Sequence, residues 1–286
     1  MASSQIMLDA LALTAVEALS ADQAFTAQTQ YCPWPKAYGG DMVAQAALAA
    51  IRTCPDKTLH SMHSYFMRPV DIGAEVRYEV ELLRDGRGYA QRQVRAVQND
   101  KTAYVCMASF HAVPPLGELT QSEMPPVPAP EDLPTSAEYL AGRDDEASRY
   151  WADGRSFDQR HVPGPVYFSV DGDQVPHQAV WVKSFDRLPD DPALHAAALA
   201  YVCDYTIIEP TLRARGLAWA GDPQPVTASL DHAMWFHRPA RVDDWLLYAQ
   251  ESLWSGSERG LGLGRFFTRD GVHIATVLQE AMIRLP

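Results

Sequence analysis

The chain has 286 residues, 47% of them apolar and 21% charged, and a net charge of −12. No run reaches the roughly 18 to 20 uninterrupted apolar residues of a membrane helix, so composition and hydropathy point to an ordinary globular protein. The acidic balance argues against nucleic acid as a partner, because phosphate binding draws on surplus Lys and Arg, whereas a small anionic ligand needs only a local basic patch.

The first twenty residues, "MASSQIMLDALALTAVEALS", contain Asp9 and Glu17 but no Lys or Arg. This pattern suits a short helix better than a secretory signal. "YGGDMVAQAALAAIRTC" predicts a helix that is apolar on nearly every face from Asp41 to Ile51, and such helices are buried. Strand signals follow in "HSMHSYFMRPVD", "AEVRYEVELLRD", "GYAQRQVRAVQND" and "KTAYVCMASFHA". His60 and His63 fall on opposite faces of the first of these strands and make a poor metal pair. Arg84, Arg87, Arg92 and Arg95 surround an Asp85-Gly86 turn, which reads as a hairpin.

From Val113 to Pro134 stand seven prolines, a composition that bars a regular helix or central strand. The expected organisation is an N-terminal unit over 1–112, a Pro-rich linker over 113–134 and a C-terminal unit over 135–286. In the second unit "DDPALHAAALAYVCDYTIIEPTLRARG" predicts one long helix. Asp204 sits there among apolar neighbours, where a carboxylate is costly to bury unless paired or functional. Four strand signals follow again, in "SLDHAMWFHRP", "DDWLLYAQESLW", "RGLGLGRFFTRDG" and "VHIATVLQEAMIRL". Asp231 and His232 point to opposite faces and are expected to be structural, at a seam between sheets. Gly260, Gly262 and Gly264 share one face, which implies the close approach of another element. The four cysteines are scattered without metal-ligand spacing, so free thiols in a cytoplasmic protein are expected.

Sliding the chain against itself by 170 positions aligns Tyr65–Ala112 with Trp235–Met282 without a gap. "YFMRP" falls on "WFHRP", and Tyr78/Tyr248, Glu81/Glu251, Arg95/Arg265 and Asp100/Asp270 coincide. An offset of 163 pairs Tyr38-x-x-Asp41 with Tyr201-x-x-Asp204. Each copy thus holds a buried helix and an antiparallel meander, and only a curved sheet wrapped around the helix covers so many of its faces. The expected fold is α+β, a double hotdog: two antiparallel sheets, each wrapping a long central helix, joined into one continuous sheet.

The segments "AYGGDMVAQAALAA", "HSMHSYFMRPVD", "LLRDGRGYAQRQVRAVQN", "SLDHAMWFHRP" and "RDGVHIATVLQEAMIRL" resemble the type II acyl-CoA thioesterase family. The resemblance runs from Phe25 to Leu285 and weakens in the linker and the early second half. It implies hydrolysis of acyl-CoA to free CoA and a carboxylic acid by a water held between Asp204, Ser229 and Gln279. It implies no cofactor and no metal, an acyl-CoA substrate and a homo-oligomer. Strand alternation puts Gln279 and Glu280 on opposite faces, and the resemblance selects Gln279. The chain departs from the family at Asp41, where Gln is expected, which raises either a second site or a degenerate copy of the first. The alternative function is a non-catalytic acyl or acyl-CoA binding double hotdog.

Overall fold

A computed structural model describes residues 2–112, 117, 119, 120 and 122–285. The linker prolines at 114 and 115 lie outside the described residues. A first series of elements comprises α1 (Gln5–Ala10), β1 (Thr14–Val16), β2 (Gln23–Gln28), α2 (Gly39–Arg52), β3 (Thr58–Phe66), β4 (Glu75–Asp85), β5 (Tyr89–Gln98) and β6 (Lys101–His111). The second begins with the short helices α3 (Ser136–Tyr139) and α4 (Glu146–Arg149) and a π-helical turn at Tyr150–Gly154, then β7 (Phe157–His161) and β8 (His177–Ser184). It continues through α5 (Pro192–Val202), a 3-10 turn at Cys203–Tyr205, α6 (Glu209–Ala214), β9 (Val226–Ser229), β10 (Asp231–Phe236), β11 (Leu246–Gly256), β12 (Arg259–Thr268) and β13 (His273–Arg284).

All thirteen strands belong to one sheet in the order β1-β2-β4-β5-β6-β3-β10-β13-β12-β11-β8-β7, with β9 beside β13. The double hotdog is therefore the fold, with one departure from a simple meander. The first long strand of each series skips its successor and pairs with the last: β3 with β6, and β10 with β13. This leaves β3 and β10 as facing edges, and they pair antiparallel from Ser61↔Trp235 to Asp231↔Tyr65. Each half thus covers the edge strand that the other would expose.

The first helix forms as its composition dictates. Ala44, Ala46, Ala47, Ala49 and Ala50 are fully buried, and their small side chains let α2 lie both on β3–β6 and against α5. The single long second helix expected from the sequence is instead broken. α5 stops at Val202, and α6 restarts with Pro210 in its first turn. A proline disfavours helical geometry at the residue before it, and Thr206, Ile207 and Ile208 are all β-branched, so the segment between the helices unwinds. α5 then packs on α2 while α6 lies across β8, β11 and β12. Asp204 sits in the break.

Two segments tie the halves together outside the sheet. α1 docks on the second series: Ser4 Oγ donates to the Ser156 carbonyl at 3.0 Å, and the Met7 amide donates to Ser156 Oγ at 3.0 Å. From Met124 the Pro-rich segment covers the outer face of the second half of the sheet, with Met124, Val127 and Leu133 against Trp181, Leu247 and Phe267. Trp181 Nε1 donates to the Pro128 carbonyl at 2.9 Å. Among the described residues no helix is long and apolar enough to cross a membrane.

Candidate active site

A cleft of about 460 Å³ opens where the N-terminus of α2 meets the 3-10 turn after α5 and the strand β9. Asp204, Ser229 and Gln279 all line it. Gln279 Nε2 donates to Asp204 Oδ1 at 2.6 Å and to Ser229 Oγ at 3.1 Å, and Ser229 Oγ lies 3.4 Å from the same carboxylate oxygen. Three residues from distant parts of the chain therefore share one hydrogen-bonded triangle. Gln279 Oε1 is buried and has no protein partner among the described residues.

The fold delivers each residue separately. β13 alternates, which turns Gln279 inward and sends Glu280 outward to Arg259. Ser229 ends β9 directly opposite Ala281 of β13. Asp204 approaches the N-terminus of α2 so closely that a Cβ at Gly39 would lie 2.6 Å from its Oδ2, and one at Gly40 would meet the Tyr201 carbonyl at 2.5 Å. The Gly39-Gly40 pair is required by that contact. The Gly40 amide faces the Asp204 carboxylate and favours its charged form, as expected for an anion at a helix N-terminus.

Burial raises the Asp204 pKa to about 6, against the opposing pull of Gln279, Ser229, the Gly40 amide and the Lys36 ammonium. Lys36 also lines the cleft and donates from Nζ to the Thr227 carbonyl at 2.8 Å. Such a carboxylate is charged at neutral pH yet basic enough to accept a proton. The arrangement can hold and deprotonate one water beside an electrophile.

Several candidates read from the sequence fall elsewhere. His232 is buried behind the site with Nε2 3.3 Å from Cys203 Sγ, and burial pushes its pKa down to about 3. Asp231 accepts from the Glu280 amide at 3.0 Å. Both belong to the seam. Asp41 is fully buried but does not line the cleft; its Oδ2 accepts from the Gln30 amide at 2.9 Å and burial raises its pKa to about 8. Of the hairpin arginines, Arg92 is buried and tied to Asp85 at 2.7 Å and to Thr53. His60 bonds Ser109 and His63 packs edge-on to Trp235, and among the described residues no cluster of three metal-type ligands exists. The alternating glycines admit close neighbours, Thr211 at Gly260, the Ile207 carbonyl at Gly262 and the Tyr248 ring at Gly264.

No sequence pattern pointed to Lys36 or to the aromatic wall of Trp34, Trp151 and Trp219. The sequence was equally silent on Arg155, which follows the π-helical turn and reaches the same cleft. These residues come from irregular segments, where no periodicity assigns a direction to a side chain.

Comparison with known proteins gives a consistent picture. Residues 147–282 match a family model described as acyl-CoA thioesterase, and residues 28–111 match one described as acyl-CoA thioesterase N-terminal domain. Acyl-CoA thioesterase 2 of Haemophilus influenzae is 35% identical over 274 residues, spanning 92% of this chain and 93% of that protein. Acyl-coenzyme A thioesterase 8 of Mus musculus is 35% identical over 262 residues, 87% of this chain and 80% of the relative. The solved structure of an acyl-CoA thioesterase II from Mycobacterium marinum superposes with a TM-score of 0.77 at 33% identity, covering 97% of this chain and 98% of the other.

Proposed function

The chain belongs to the type II acyl-CoA thioesterase family, and from that premise we propose that it hydrolyses acyl-CoA with a water activated by Asp204, Ser229 and Gln279. It is a thioester hydrolase. The observation that carries the assignment of roles is the convergence of these three side chains, with Asp204 poised near pH 6, in the wall of one cleft.

Asp204 takes a proton from the water as its oxygen adds to the thioester carbonyl. Gln279 and Ser229 fix the carboxylate and the water against it, so that little reorientation is left for the reaction. The N-terminus of α2, whose Gly39 lines the cleft, offers the Gly39 amide and the positive end of the helix dipole to the developing oxyanion. Collapse of the tetrahedral intermediate breaks the C–S bond, and CoA leaves as the thiol beside a free carboxylic acid.

Two further features complete the proposal. The units 1–112 and 135–286, joined by 113–134, act as one catalytic body, because Gly39-Gly40 of the first complete the environment of Asp204 in the second. All four cysteines are free and buried, which suits a reducing, cytoplasmic setting. The outer sheet face at the seam exposes Tyr65, Met67 and Met107, and a homo-oligomer built on such surfaces is expected in light scattering.

The decisive experiment is a thiol-release assay over CoA esters of increasing chain length, run beside Asp204→Asn. Release by the wild type, lost in the variant, supports the reading. No release from any ester would turn it toward an acyl-CoA binding protein.

A further inference from the structure

The cleft that holds Asp204 carries two cations, Lys36 and Arg155, against that single carboxylate, in a chain whose net charge is −12. Lys36 is accounted for by Asp204 and the Thr227 carbonyl. Arg155 is not. It is 5% exposed, and its one hydrogen bond among the described residues runs from Nη1 to Gln159 Oε1 at 2.5 Å. Its Nε has no partner, and no carboxylate lies within ion-pair distance among the described residues. The buried carboxylate in its electrostatic neighbourhood, Glu209, is already satisfied by His161 at 3.1 Å, Gln178 at 2.8 Å and Trp219 at 2.8 Å.

A guanidinium cannot shed its charge at any ordinary pH, and a buried charge without a counter-ion is strongly unfavourable. Cation–π contact relieves part of that cost, since the Arg155 guanidinium lies 4.5 Å from the Tyr205 ring centroid and 5.8 Å from that of Tyr150. It supplies no acceptor for the remaining N–H groups. Arg155 lines the same cleft as Asp204, in the part walled by Tyr150, Trp151 and Tyr205.

We propose that Arg155 is a specificity-determining residue that binds a carboxylate at the far end of the acyl group, so that the preferred substrates are mono-CoA esters of dicarboxylic acids. This rests on the hydrolase reading above. The reaction is unchanged: water adds to the thioester carbonyl, the C–S bond breaks, CoA leaves as the thiol with one of the water's protons, the other passes to solvent, and the product is the free dicarboxylate. The CoA phosphates are poorly suited to this position. A bulky nucleotide belongs at the open mouth of the cleft, whereas Arg155 is almost wholly enclosed.

Thiol release is measured on matched pairs of CoA esters, straight-chain monocarboxylyl against dicarboxylyl of equal carbon number, from short to medium length. Wild-type enzyme is expected to favour the dicarboxylyl member in kcat/KM by about tenfold or more at one or more lengths, the value of a charge-assisted hydrogen bond. Arg155→Met should shrink that preference by about 10- to 100-fold, with Arg155→Lys restoring part of it. Preference for monocarboxylyl esters at every length by the wild type overturns the proposal without any variant, and so does an equal loss on both series in Arg155→Met, which would mark a contact to CoA or to the fold. Release from no ester at all sinks the hydrolase reading and this inference with it; release from monocarboxylyl esters alone sinks only this one.

Discussion

Asp204 is held between two opposing influences, and the balance sets how the enzyme should respond to pH. Burial disfavours its charged form, while Gln279, Ser229, the Gly40 amide and Lys36 favour it, and the pKa settles at about 6. A general base works only when deprotonated, so kcat/KM should rise with pH through about 6 and level off above it. Asp204→Asn should abolish that limb and lower kcat by about 10²- to 10⁴-fold. Gln279→Leu removes a bond that stabilises the carboxylate, so the inflection should move to higher pH as the rate falls; an unmoved inflection in the pH profile would count against the triangle. Asp41 gives a separate prediction. Its folded pKa of about 8 lies above the unfolded value, so its contribution to stability is complete below about pH 4 and is lost as pH rises to about 8. Asp41→Asn should therefore unfold at higher denaturant than wild type at pH 8, by roughly 1–3 kcal/mol, with the gap narrowing as pH falls and closing only near pH 4. At this scale the sequence was legible only in part: Asp204 stood out as a charge among apolar residues, but Ser229 and Gln279 were visible only through the family resemblance.

The break between α5 and α6 is the element that makes the site, and it depends on what lies beneath it. Gly262 of β12 sits opposite Gln279 in β13 and directly under the Ile207 carbonyl, three residues beyond Asp204. A methyl group at that glycine would fall on backbone, which cannot swing aside as a side chain can. Gly262→Ala should therefore push the turn off the sheet, lowering stability by about 1–3 kcal/mol and kcat by more than the fraction unfolded accounts for. Gly260→Ala provides the contrast, because its new methyl would meet mainly the side chains of Thr211 and Ile283, which can shift. Equal effects of the two substitutions on kcat, measured beside thermal melts, would deny Gly262 its positioning role. The alternating glycines announced a close approach in the sequence, but not by which element. The break itself was missed because "AYVCDYTIIEPTL" is buried on nearly every side, its polar residues Asp204, Thr206, Glu209 and Thr211 included, and periodicity cannot locate a turn inside such a run.

At the scale of the whole molecule the two halves look separable in sequence and are joined in three ways in structure. The gapless repeat at an offset of 170 residues places β5 and β12 in the same register, residues 89–98 against 259–268, which is why the architecture was legible from strand patterns alone. Pairing between halves, by contrast, depends on which strand ends up at an edge, and no local pattern encodes that. β3 pairs with β10, α2 packs on α5, and α1 sets Met7 fully buried into the common core while its preceding serine bonds Ser156. Neither half can open without exposing an unpaired strand edge and the apolar face of its helix, a loss that competes with the roughly 5–15 kcal/mol by which a domain is stable. Unfolding should therefore be a single cooperative transition despite the size of the chain. The distribution of tryptophan makes this testable: Trp34 is in the first half, whereas Trp151, Trp181, Trp219, Trp235, Trp245 and Trp254 are in the second. Fluorescence then reports chiefly the second half and far-ultraviolet circular dichroism reports both. The two probes should give coincident denaturant curves with one midpoint, and loss of thiol release should track them. A dichroism transition that precedes the fluorescence one would mean that the first half melts alone, and that the seam is a contact between independent domains.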